Sequence, residues 1–253
     1  MSSSAGSWGD SMAAGYDENP LAKATSNCVL SLLRSLAWWR PGLAVLDFGC
    51  GTGTNAIELA RRDDAQVVGV DVSRAMLDKL RAKLKDHGDL AARITLNQIK
   101  EDASDVNGDF DVVLSSFVLH HAKEEHIPTI VGHLCRTLRQ DGRIAVFELV
   151  RSERTRATIA ALKAKQRNPG DAGHSHGHSH HQSQEHSHGH HHGPGSEDFP
   201  VLTPESVADL VRGHGLEVEQ SSQFDVSVQP GVGVDAFVVV ARRPGPSDAF
   251  GIA

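Results

Sequence analysis

Three glycines at alternate positions, Gly49, Gly51 and Gly53, restrict most strongly what this chain can fold into. They follow a short apolar segment in VLDFGCGTG (45–53) and precede a helix-like segment. Glycine lets the backbone turn tightly and pass close to a ligand. An acidic residue, Asp71, ends a second apolar segment about 20 residues later, the spacing at which a carboxylate binds ribose hydroxyls in nucleotide-binding sheets. The combination predicts a nucleotide-binding α/β fold.

Apolar strand patterns and amphipathic helix patterns alternate around this loop. Strands are predicted over residues 43–48, 66–70, 93–99, 110–116, 143–150, 216–228 and 235–242. Helices are predicted over residues 27–39, 54–62, 73–86, 124–138 and 203–212. Short connections favour parallel strands with right-handed crossovers, whereas the turn at Pro230-Gly231 makes the last two strands a hairpin. We therefore expect a doubly wound, Rossmann-like α/β sheet of seven strands, mostly parallel, with one antiparallel strand from the C-terminal hairpin.

Capping and turn residues mark the ends of several elements. Ser73 and Thr203 are predicted N-caps, because a hydroxyl oxygen accepts a hydrogen bond from the first turn of a helix. Pro204 suits the first helical position. The sequence QDG at 140–142 predicts a turn that separates one helix from the strand that follows it.

One domain with an insertion is expected. Residues 1–41 are expected to form an N-terminal arm and helix, with the first part a loose arm, and residues 243–253 a C-terminal tail. Residues 42–242 are expected to form a single domain, because segments from both of its ends complete one sheet. The alanine-rich segment 152–167 favours a helix. Residues 169–200 are rich in Gly, Ser and His and poor in apolar residues, which predicts a disordered insertion.

The residues around the glycines exclude two common classes of ligand. A phosphate-binding P-loop has Lys and then Ser or Thr after its last glycine, but Thr54 and Asn55 stand here. The nicotinamide fingerprint GxGxxG does not match either, and a carboxylate at Asp47 would repel a pyrophosphate. A cationic ligand fits better. S-adenosylmethionine (SAM) carries a sulfonium and an ammonium group, and Asp47 is placed to hold the ammonium.

Four motifs resemble those of class I SAM-dependent methyltransferases. They are LDFGCGTG (46–53), GVDVSRAML (69–77), Glu101-Asp102-Ala103 and FDVVLSSFVLHH (110–121). The resemblance covers about residues 42–150 and the closing hairpin. It is nearest to the small-molecule branch that includes quinone-biosynthesis methyltransferases. It implies an enzyme that transfers a methyl group from SAM to an unidentified small-molecule acceptor by in-line displacement.

The resemblance also implies which residues bind the cofactor. They are Tyr16, Asp47, Gly49, Cys50, Gly51, Gly53, Asp71, Val72, Met76, Asp102, Ala103, Ser115 and Ser116. Asp71 would bind the ribose, and Tyr16 would close over the cofactor from the N-terminal arm. Asp102 would lie against the adenine amino group, although Glu101 and Asp105 are also available.

Several of these residues have a plain structural alternative. Asp47 could cap the glycine loop, and Asp71 could cap the helix that follows it. Met76 has the periodicity of a core residue. Tyr16 could be an ordered surface anchor.

His120 and His121 are the candidate catalytic residues. They follow the fourth predicted strand, and ligands of open α/β sheets bind at the carboxyl ends of the strands. Imidazole is the natural base near neutral pH, but a base is needed only if the acceptor must lose a proton. The alternative is that one histidine caps the next helix and the other packs. Glu148, near the end of the fifth strand, is a further candidate base.

Composition and motifs limit the binding partners and the cellular location that we expect. The net charge of −7 argues against general nucleic-acid binding, which needs a basic surface. The sequence LSSF at 114–117 also lacks the Asn/Asp-Pro-Pro-aromatic form of nucleic-acid N-methyltransferases. No apolar run is long enough to span a membrane, and Cys28, Cys50 and Cys135 form no CxxC pair. We expect a small-molecule acceptor, no nucleic-acid partner, no membrane span and a cytoplasmic location, with a nuclear location and the oligomeric state left open.

Ten of the 16 histidines lie in one segment. They are His174, His176, His178, His180, His181, His186, His188, His190, His191 and His192. Imidazole binds zinc and nickel, which makes a Zn or Ni site in this His-rich loop one hypothesis. A pH sensor and an insertion without a role are the others. An alternative for the whole protein is a non-catalytic SAM-binding protein that acts through this loop in metal binding or partner regulation.

Overall fold

One sheet of seven strands lies at the centre of the structure, a computed structural model that describes residues 5–167 and 200–245. The strands are β1 (Ala44–Phe48), β2 (Gln66–Asp71), β3 (Ile94–Gln98), β4 (Phe110–Ser116), β5 (Leu138–Leu149), β6 (Glu217–Gln229) and β7 (Val232–Arg242). Their order is β3-β2-β1-β4-β5-β7-β6. β7 is antiparallel to β5 and β6, and the other neighbouring strands are parallel. The predicted fold class is confirmed.

Helices cover both faces of the sheet. The described helices are α1 (Ala5–Met12), α2 (Pro20–Ser35), α3 (Thr54–Arg62), α4 (Arg74–Leu84), α5 (Gly88–Ala91), α6 (Ile127–Arg136), α7 (Glu153–Arg167) and α8 (Pro204–Gly213). Alternate strand residues face opposite sides. Val45 and Leu114 pack with residues of α2, α3 and α4, whereas Leu46 and Val113 pack with residues of α6 and α8. The carboxyl ends of β1, β2 and β4 therefore meet at one edge, between the two layers.

Two helices begin at the predicted caps. The Ser73 hydroxyl accepts a hydrogen bond from the Met76 N–H (3.2 Å) and caps α4. Thr203 and Ser206 cap α8 reciprocally, because each backbone N–H donates to the hydroxyl of the other residue (2.9 and 3.1 Å). Pro204 occupies the first turn of α8, as predicted.

The N-terminal arm was predicted to be loose, and this prediction is wrong for the described residues. Residues 5–18 form α1 and a 3₁₀ segment (Ala13–Glu18). α1 packs closely on α4, since a Cβ on Gly9 would lie 2.7 Å from the Cβ of Ser73. Asp10 Oδ1 also accepts a hydrogen bond from the Ser73 hydroxyl (2.6 Å). Tertiary contacts, which local sequence does not reveal, order this arm.

The helix predicted over residues 27–39 is shifted. It is α2, which begins at Pro20 and ends at Ser35. Asn19 caps α2, because its side chain accepts a hydrogen bond from the Leu21 N–H (2.9 Å). The apolar periodicity that predicts the helix is clear only in the second half of α2. The start signal at Asn19-Pro20 was therefore missed.

β5 begins earlier than predicted. The helix predicted over residues 124–138 consists of a 3₁₀ turn (Glu124–His126) followed by α6. The predicted turn at 140–142 lies inside β5. Asp141 keeps a turn-like backbone (φ 61°), but its N–H donates to the Arg243 carbonyl (3.0 Å), which holds this segment beside the chain that leaves β7.

The domain boundaries stay predictions. Residues 168–199 and 246–253 lie outside the described residues, and so does nearly all of the expected insertion. Among the described helices, none is both long and apolar enough to cross a membrane.

The inner position of β7 predicts a large effect of one core substitution. Phe237 of β7 is fully buried (0% exposed) in the core that contains Leu46 and Val113. Phe237→Ala should lower the free energy of unfolding by about 3–5 kcal/mol, because it leaves a cavity. Urea denaturation measures this loss. The matched control is Phe224→Ala in the edge strand β6, where the side chain is half-buried and the loss should be smaller. Equal losses would contradict the inner position of β7.

Candidate functional site

The glycine loop joins β1 to α3 in a conformation that requires glycine. Gly49, Gly51 and Gly53 have φ angles of 70°, 55° and 83°, in the left-handed region. A Cβ on Gly49 would lie 2.3 Å from Val118 Cγ2, and a Cβ on Gly53 would lie 2.2 Å from Leu80 Cδ1. Both the backbone conformation and the packing therefore exclude larger residues at the two ends of the loop.

Asp71 fastens this loop to the end of β2. Its Oδ2 accepts a hydrogen bond from the Gly51 N–H and its Oδ1 accepts one from the Ser73 N–H, both at 2.8 Å. Burial raises the pKa of Asp71. Ser73 is the residue that caps α4. Each carboxylate oxygen can accept a second hydrogen bond, so Asp71 keeps the capacity to bind hydroxyl groups.

Asp47 is a buried carboxyl group at the end of β1 (0% exposed). Among the described residues, no donor forms a hydrogen bond of normal geometry with either of its oxygens. Burial, and then the negative charge of Asp71, raises the pKa of Asp47 to about 7, although the nearby Ala56 N–H opposes the rise. Asp47 therefore does not cap the loop by a hydrogen bond. A buried carboxylate without a partner is expensive, and a cation would remove that cost.

Other buried polar atoms lie near the carboxyl end of β4 and the start of α3. Ser115 Oγ and Asn55 Oδ1 have no hydrogen-bond partner among the described residues. The Asn55 amide nitrogen donates to Ser116 Oγ (2.9 Å), which fixes the orientation of the amide. A buried polar atom without a partner in a folded protein requires an explanation, and a bound ligand or ion is one. Asn55 was not among the predicted site residues, because its burial depends on contacts that local sequence does not reveal.

The N-terminal arm lies against the glycine loop. The Tyr16 ring passes the loop, 3.8 Å from where a Cβ of Gly51 would stand. Asp17 Oδ1 accepts hydrogen bonds from the Thr52 hydroxyl (2.6 Å) and the Lys83 ammonium (2.7 Å). Burial, followed by the neighbouring acids, raises the pKa of Tyr16. The structure thus brings Tyr16 to the predicted side of the site, and Asp17, Thr52 and Lys83 hold it there.

Four of the predicted cofactor-binding residues, Val72, Met76, Asp102 and Ala103, differ in exposure. Met76 and Ala103 are buried, and Ala103 has a left-handed backbone (φ 56°). Val72 is half-buried beside the hydrophobic core. Asp102 Oδ1 accepts a hydrogen bond from the Ser104 N–H (3.0 Å), and such hydrogen bonds lower the pKa of Asp102. Contact of these residues with the cofactor stays a prediction.

The histidine pair lies in a 3₁₀ turn (Leu119–His121) after β4. Glu148 of β5 is fully buried (0% exposed), and its Oε2 lies 2.6 Å from His120 Nδ1. Its Oε1 accepts hydrogen bonds from the N–H groups of Val118 (3.0 Å) and Leu119 (2.7 Å). Glu148 therefore fixes both the turn and the ring of His120.

His121 lies beside His120 in a different setting. The centroids of the two rings are 4.0 Å apart. Burial, and then the positive charges of His120 and Lys163, holds the pKa of His121 well below its ordinary value. Neither histidine is the N-cap of α6, a position that His126 occupies.

Phe117 adjoins the histidine turn and has a backbone conformation that the sequence does not reveal. It is the first residue after β4 and has a left-handed backbone (φ 54°), although it is not glycine. Its N–H donates to the Phe147 carbonyl (2.8 Å). Strained backbone of this kind clusters at functional sites, and no sequence signal indicates it.

The ten clustered histidines, at positions between 174 and 192, lie outside the described residues. Within the part of the chain that the structure describes, no group of three or more His, Cys, Asp or Glu side chains could hold a metal ion. Metal binding by the His-rich segment stays a prediction.

Known proteins resemble this chain in sequence. The model of a family described as "Methyltransferase domain" matches residues 45–142. An uncharacterised methyltransferase of Schizosaccharomyces pombe is 31% identical over 142 residues, which are 54% of this chain and 48% of that protein. A demethylmenaquinone methyltransferase of Tropheryma whipplei is 33% identical over 135 residues, which are 49% of this chain and 52% of that protein. The chain thus spans about half the length of these curated relatives.

A solved structure shares the fold. It is the magnesium protoporphyrin IX methyltransferase of Synechocystis PCC 6803 with bound S-adenosylhomocysteine. The TM-score is 0.60 at 17% sequence identity, and the match covers 90% of this chain and 87% of that one.

The raised pKa of Asp47 predicts how stability depends on pH. The folded form binds this proton more tightly than the unfolded chain, so the wild type loses stability as pH rises from about 4 to about 7. Asp47→Asn removes this dependence. The free energy of unfolding of Asp47→Asn minus that of the wild type should therefore be about 2–3 kcal/mol larger at pH 8 than at pH 5. Urea denaturation at both pH values checks this, with Asp86→Asn as an exposed carboxylate control. Parallel pH curves for the wild type and Asp47→Asn would contradict the unpaired burial of Asp47.

Proposed function

We propose that this chain is a class I SAM-dependent methyltransferase that transfers a methyl group from SAM to a small-molecule acceptor by in-line displacement. The matching family model over residues 45–142 supports this proposal. The observation that carries the proposal is Asp47, a fully buried carboxyl group without a hydrogen-bond partner among the described residues. It lies at the start of a glycine loop where a cation would neutralise it. SAM supplies a methyl group on a positively charged sulfur, together with an ammonium group.

The residues around the loop fit the parts of SAM. Asp47 would hold the ammonium group, with the unpartnered Asn55 Oδ1 as a second acceptor. Asp71 would accept hydrogen bonds from the ribose hydroxyls, as the spacing of the acid in such sheets implies. The glycines let the backbone pass close to the ligand. Tyr16 would cover the site, which excludes water from the reacting groups.

The remaining predicted contacts complete the proposed site. Asp102, Ala103, Val72 and Met76 would border the adenine, and Ser115 and Ser116 would line the path between cofactor and acceptor. Cys50 lies buried within the loop and would contribute its backbone. The protein's main task is then to align the acceptor with the methyl group, a proximity effect worth up to about 7–11 kcal/mol.

A small molecule is the proposed acceptor. The relatives include proteins named as a demethylmenaquinone methyltransferase and a trans-aconitate 2-methyltransferase, whose named substrates are small. The acceptor site would lie near His120 and His121, at the carboxyl ends of β4 and β5. No observation on the described residues favours the non-catalytic alternative.

A comparison of three ligands tests the proposed cofactor site. SAM and S-adenosylhomocysteine carry the ammonium group, whereas methylthioadenosine lacks it and keeps the ribose. Asp47→Asn should raise the Kd of the first two by about 10- to 100-fold, the worth of one charge-assisted hydrogen bond, and leave methylthioadenosine within about twofold. Asp71→Asn should weaken all three. Calorimetric titration measures each Kd, with Asp86→Asn as the control.

Two results would contradict this assignment. If Asp47→Asn weakened the binding of all three ligands equally, Asp47 would not be the residue that holds the ammonium group. Unchanged binding in both variants would place the cofactor elsewhere. Transfer of label from methyl-tritiated SAM to a metabolite extract then tests the activity, and SAM binding without a labelled product would favour the non-catalytic alternative.

A further inference from the structure

We propose that the methyl acceptor is a compound with an apolar portion, and that this portion binds against an apolar wall beside the proposed cofactor site. The wall consists of six half-buried apolar side chains, which are Leu21, Ala24, Cys28, Phe117, Leu149 and Phe224. The inference rests on the proposed methyl-transfer function and adds to it a substrate class and one specificity residue, Phe117.

The base of the wall is a row of residues across three neighbouring strands. Leu149, the last residue of β5, pairs with Ala236 of β7, which pairs in turn with Phe224 of β6. Leu149 lies two residues after Phe147, and alternate strand residues share a face. Phe147 belongs to the larger core beneath α2 and α3. The row therefore lies on the face of the sheet that α2 and α3 cover, at the carboxyl end of β5.

The first half of α2 lies over this row. Leu21, Ala24 and Cys28 recur at helical spacing and pack against the same small cluster, whose buried members come from β6 and β7. In the two larger cores of the described chain, buried residues predominate, whereas in this cluster most of the apolar side chains are only half-buried. The wall thus keeps apolar surface that a ligand can cover.

The wall continues the proposed cofactor site along one edge of the sheet. Asp47 and Ser116 lie near the carboxyl ends of β1 and β4, and each follows a residue of the larger core at a spacing of two. Both therefore share the face of the wall. The Asn55 amide nitrogen donates to Ser116 Oγ (2.9 Å) on this face. The edge is polar over β1 and β4 and apolar over the next strands, β5, β7 and β6.

This division suits a ligand pair with a charged part and an apolar part. Small-molecule sites combine a mostly apolar surface with a few placed polar groups, and in open α/β sheets they lie at the carboxyl ends of the strands. The proposed cofactor accounts for the polar part of the edge. The molecule that receives its methyl group must lie next to it, and the adjoining surface is the wall.

The chemistry of the wall selects against a charged acceptor group. Five of its side chains are hydrocarbon, and the sixth is the Cys28 thiol. Burial, and then the negative charge of Asp225, raises the pKa of Cys28, so this thiol stays neutral. Asp225 itself is paired with Arg154. Contact with such a surface costs a charged group its hydration, whereas an apolar group gains free energy by leaving water.

Phe117 lies at the boundary between the polar and the apolar part of the edge. It follows Ser116 directly and packs against both the small cluster and the larger core. Its left-handed backbone (φ 54°) is unfavourable for a bulky residue, and asparagine adopts this conformation more readily. The fold thus keeps an aromatic ring where the backbone favours another residue. Phe117 is therefore the wall residue that we expect to contact the acceptor nearest to the methyl group.

The first test identifies the class of acceptor. A metabolite extract is divided by solvent extraction into an apolar and a water-soluble fraction, and each is incubated with the protein and methyl-tritiated SAM. We expect a labelled product from the apolar fraction. Label only from the water-soluble fraction would overturn the inference but leave methyl transfer in place. SAM binding without a labelled product from either fraction would overturn the proposed function itself.

The second test separates the Phe117 side chain from its backbone. Phe117→Asn removes the ring and suits the left-handed backbone, whereas Phe117→Leu keeps an apolar side chain and the backbone strain. With the acceptor of the first test, Phe117→Asn should raise KM by about 10- to 100-fold, as expected for a lost apolar contact. Its kcat should change by less than about threefold, because the contact is made equally in the ground state and the transition state.

Phe117→Leu should raise KM far less than Phe117→Asn does. A purely structural role predicts the opposite order, because asparagine relieves the backbone strain and leucine does not. A KM of Phe117→Asn close to that of the wild type, or a KM of Phe117→Leu as high as that of Phe117→Asn, would overturn the role of Phe117. A Kd for SAM within about twofold of the wild type shows that each variant is folded.

A matched pair on α2 tests the wall as a whole. Leu21 and Leu32 are both half-buried, but Leu21 belongs to the wall and Leu32 packs against the larger core. Leu21→Ala should raise the KM for the acceptor by about 3- to 10-fold, and Leu32→Ala should leave it within about twofold. Equal KM values for the two variants would overturn the wall as the acceptor site.

Discussion

The unpaired carboxyl group of Asp47 is the constraint around which the rest of the site is arranged. Removing a carboxylate from water costs several kcal/mol unless a partner compensates, yet no described residue hydrogen-bonds to this one. The neighbouring charge of Asp71 increases the cost and helps to raise the pKa of Asp47 to about 7. Such a group is costly for the folded protein and useful for a cationic ligand, whose binding removes the penalty.

Distant parts of the chain meet around this charge. The glycine loop is tight because Gly49 and Gly53 pack on side chains from other elements. The N-terminal arm is attached to the loop through Asp17, which hydrogen-bonds to Thr52 and Lys83. On the acceptor side, a single glutamate of β5 fixes the turn after β4. Carboxylates thus fasten both segments: Asp17 and Asp71 hold the glycine loop, and Glu148 holds the turn after β4.

Sequence reasoning predicted the sheet and the cofactor loop because their signals are local. Alternating strand and helix patterns, the glycines and the cap at Ser73 each depend on a few neighbouring residues. The order of residues 5–18 was missed because it depends on packing against α4. Asn55 was missed for the same reason. Glu148 was predicted only as a candidate base, and its structural role was missed. The position of Glu148 at the end of β5 does not reveal the N–H groups, about 30 residues away in sequence, that occupy its carboxylate.

The number of protons released when SAM binds tests most directly whether Asp47 holds the ammonium group. At pH 6.5 Asp47 is mostly protonated in the ligand-free protein, and a bound ammonium group would lower its pKa and expel the proton. Titration calorimetry in buffers of different ionisation enthalpy measures this release. We predict a net release of well over half a proton for the wild type and none attributable to this site in Asp47→Asn. Equal proton release in the two proteins would contradict it.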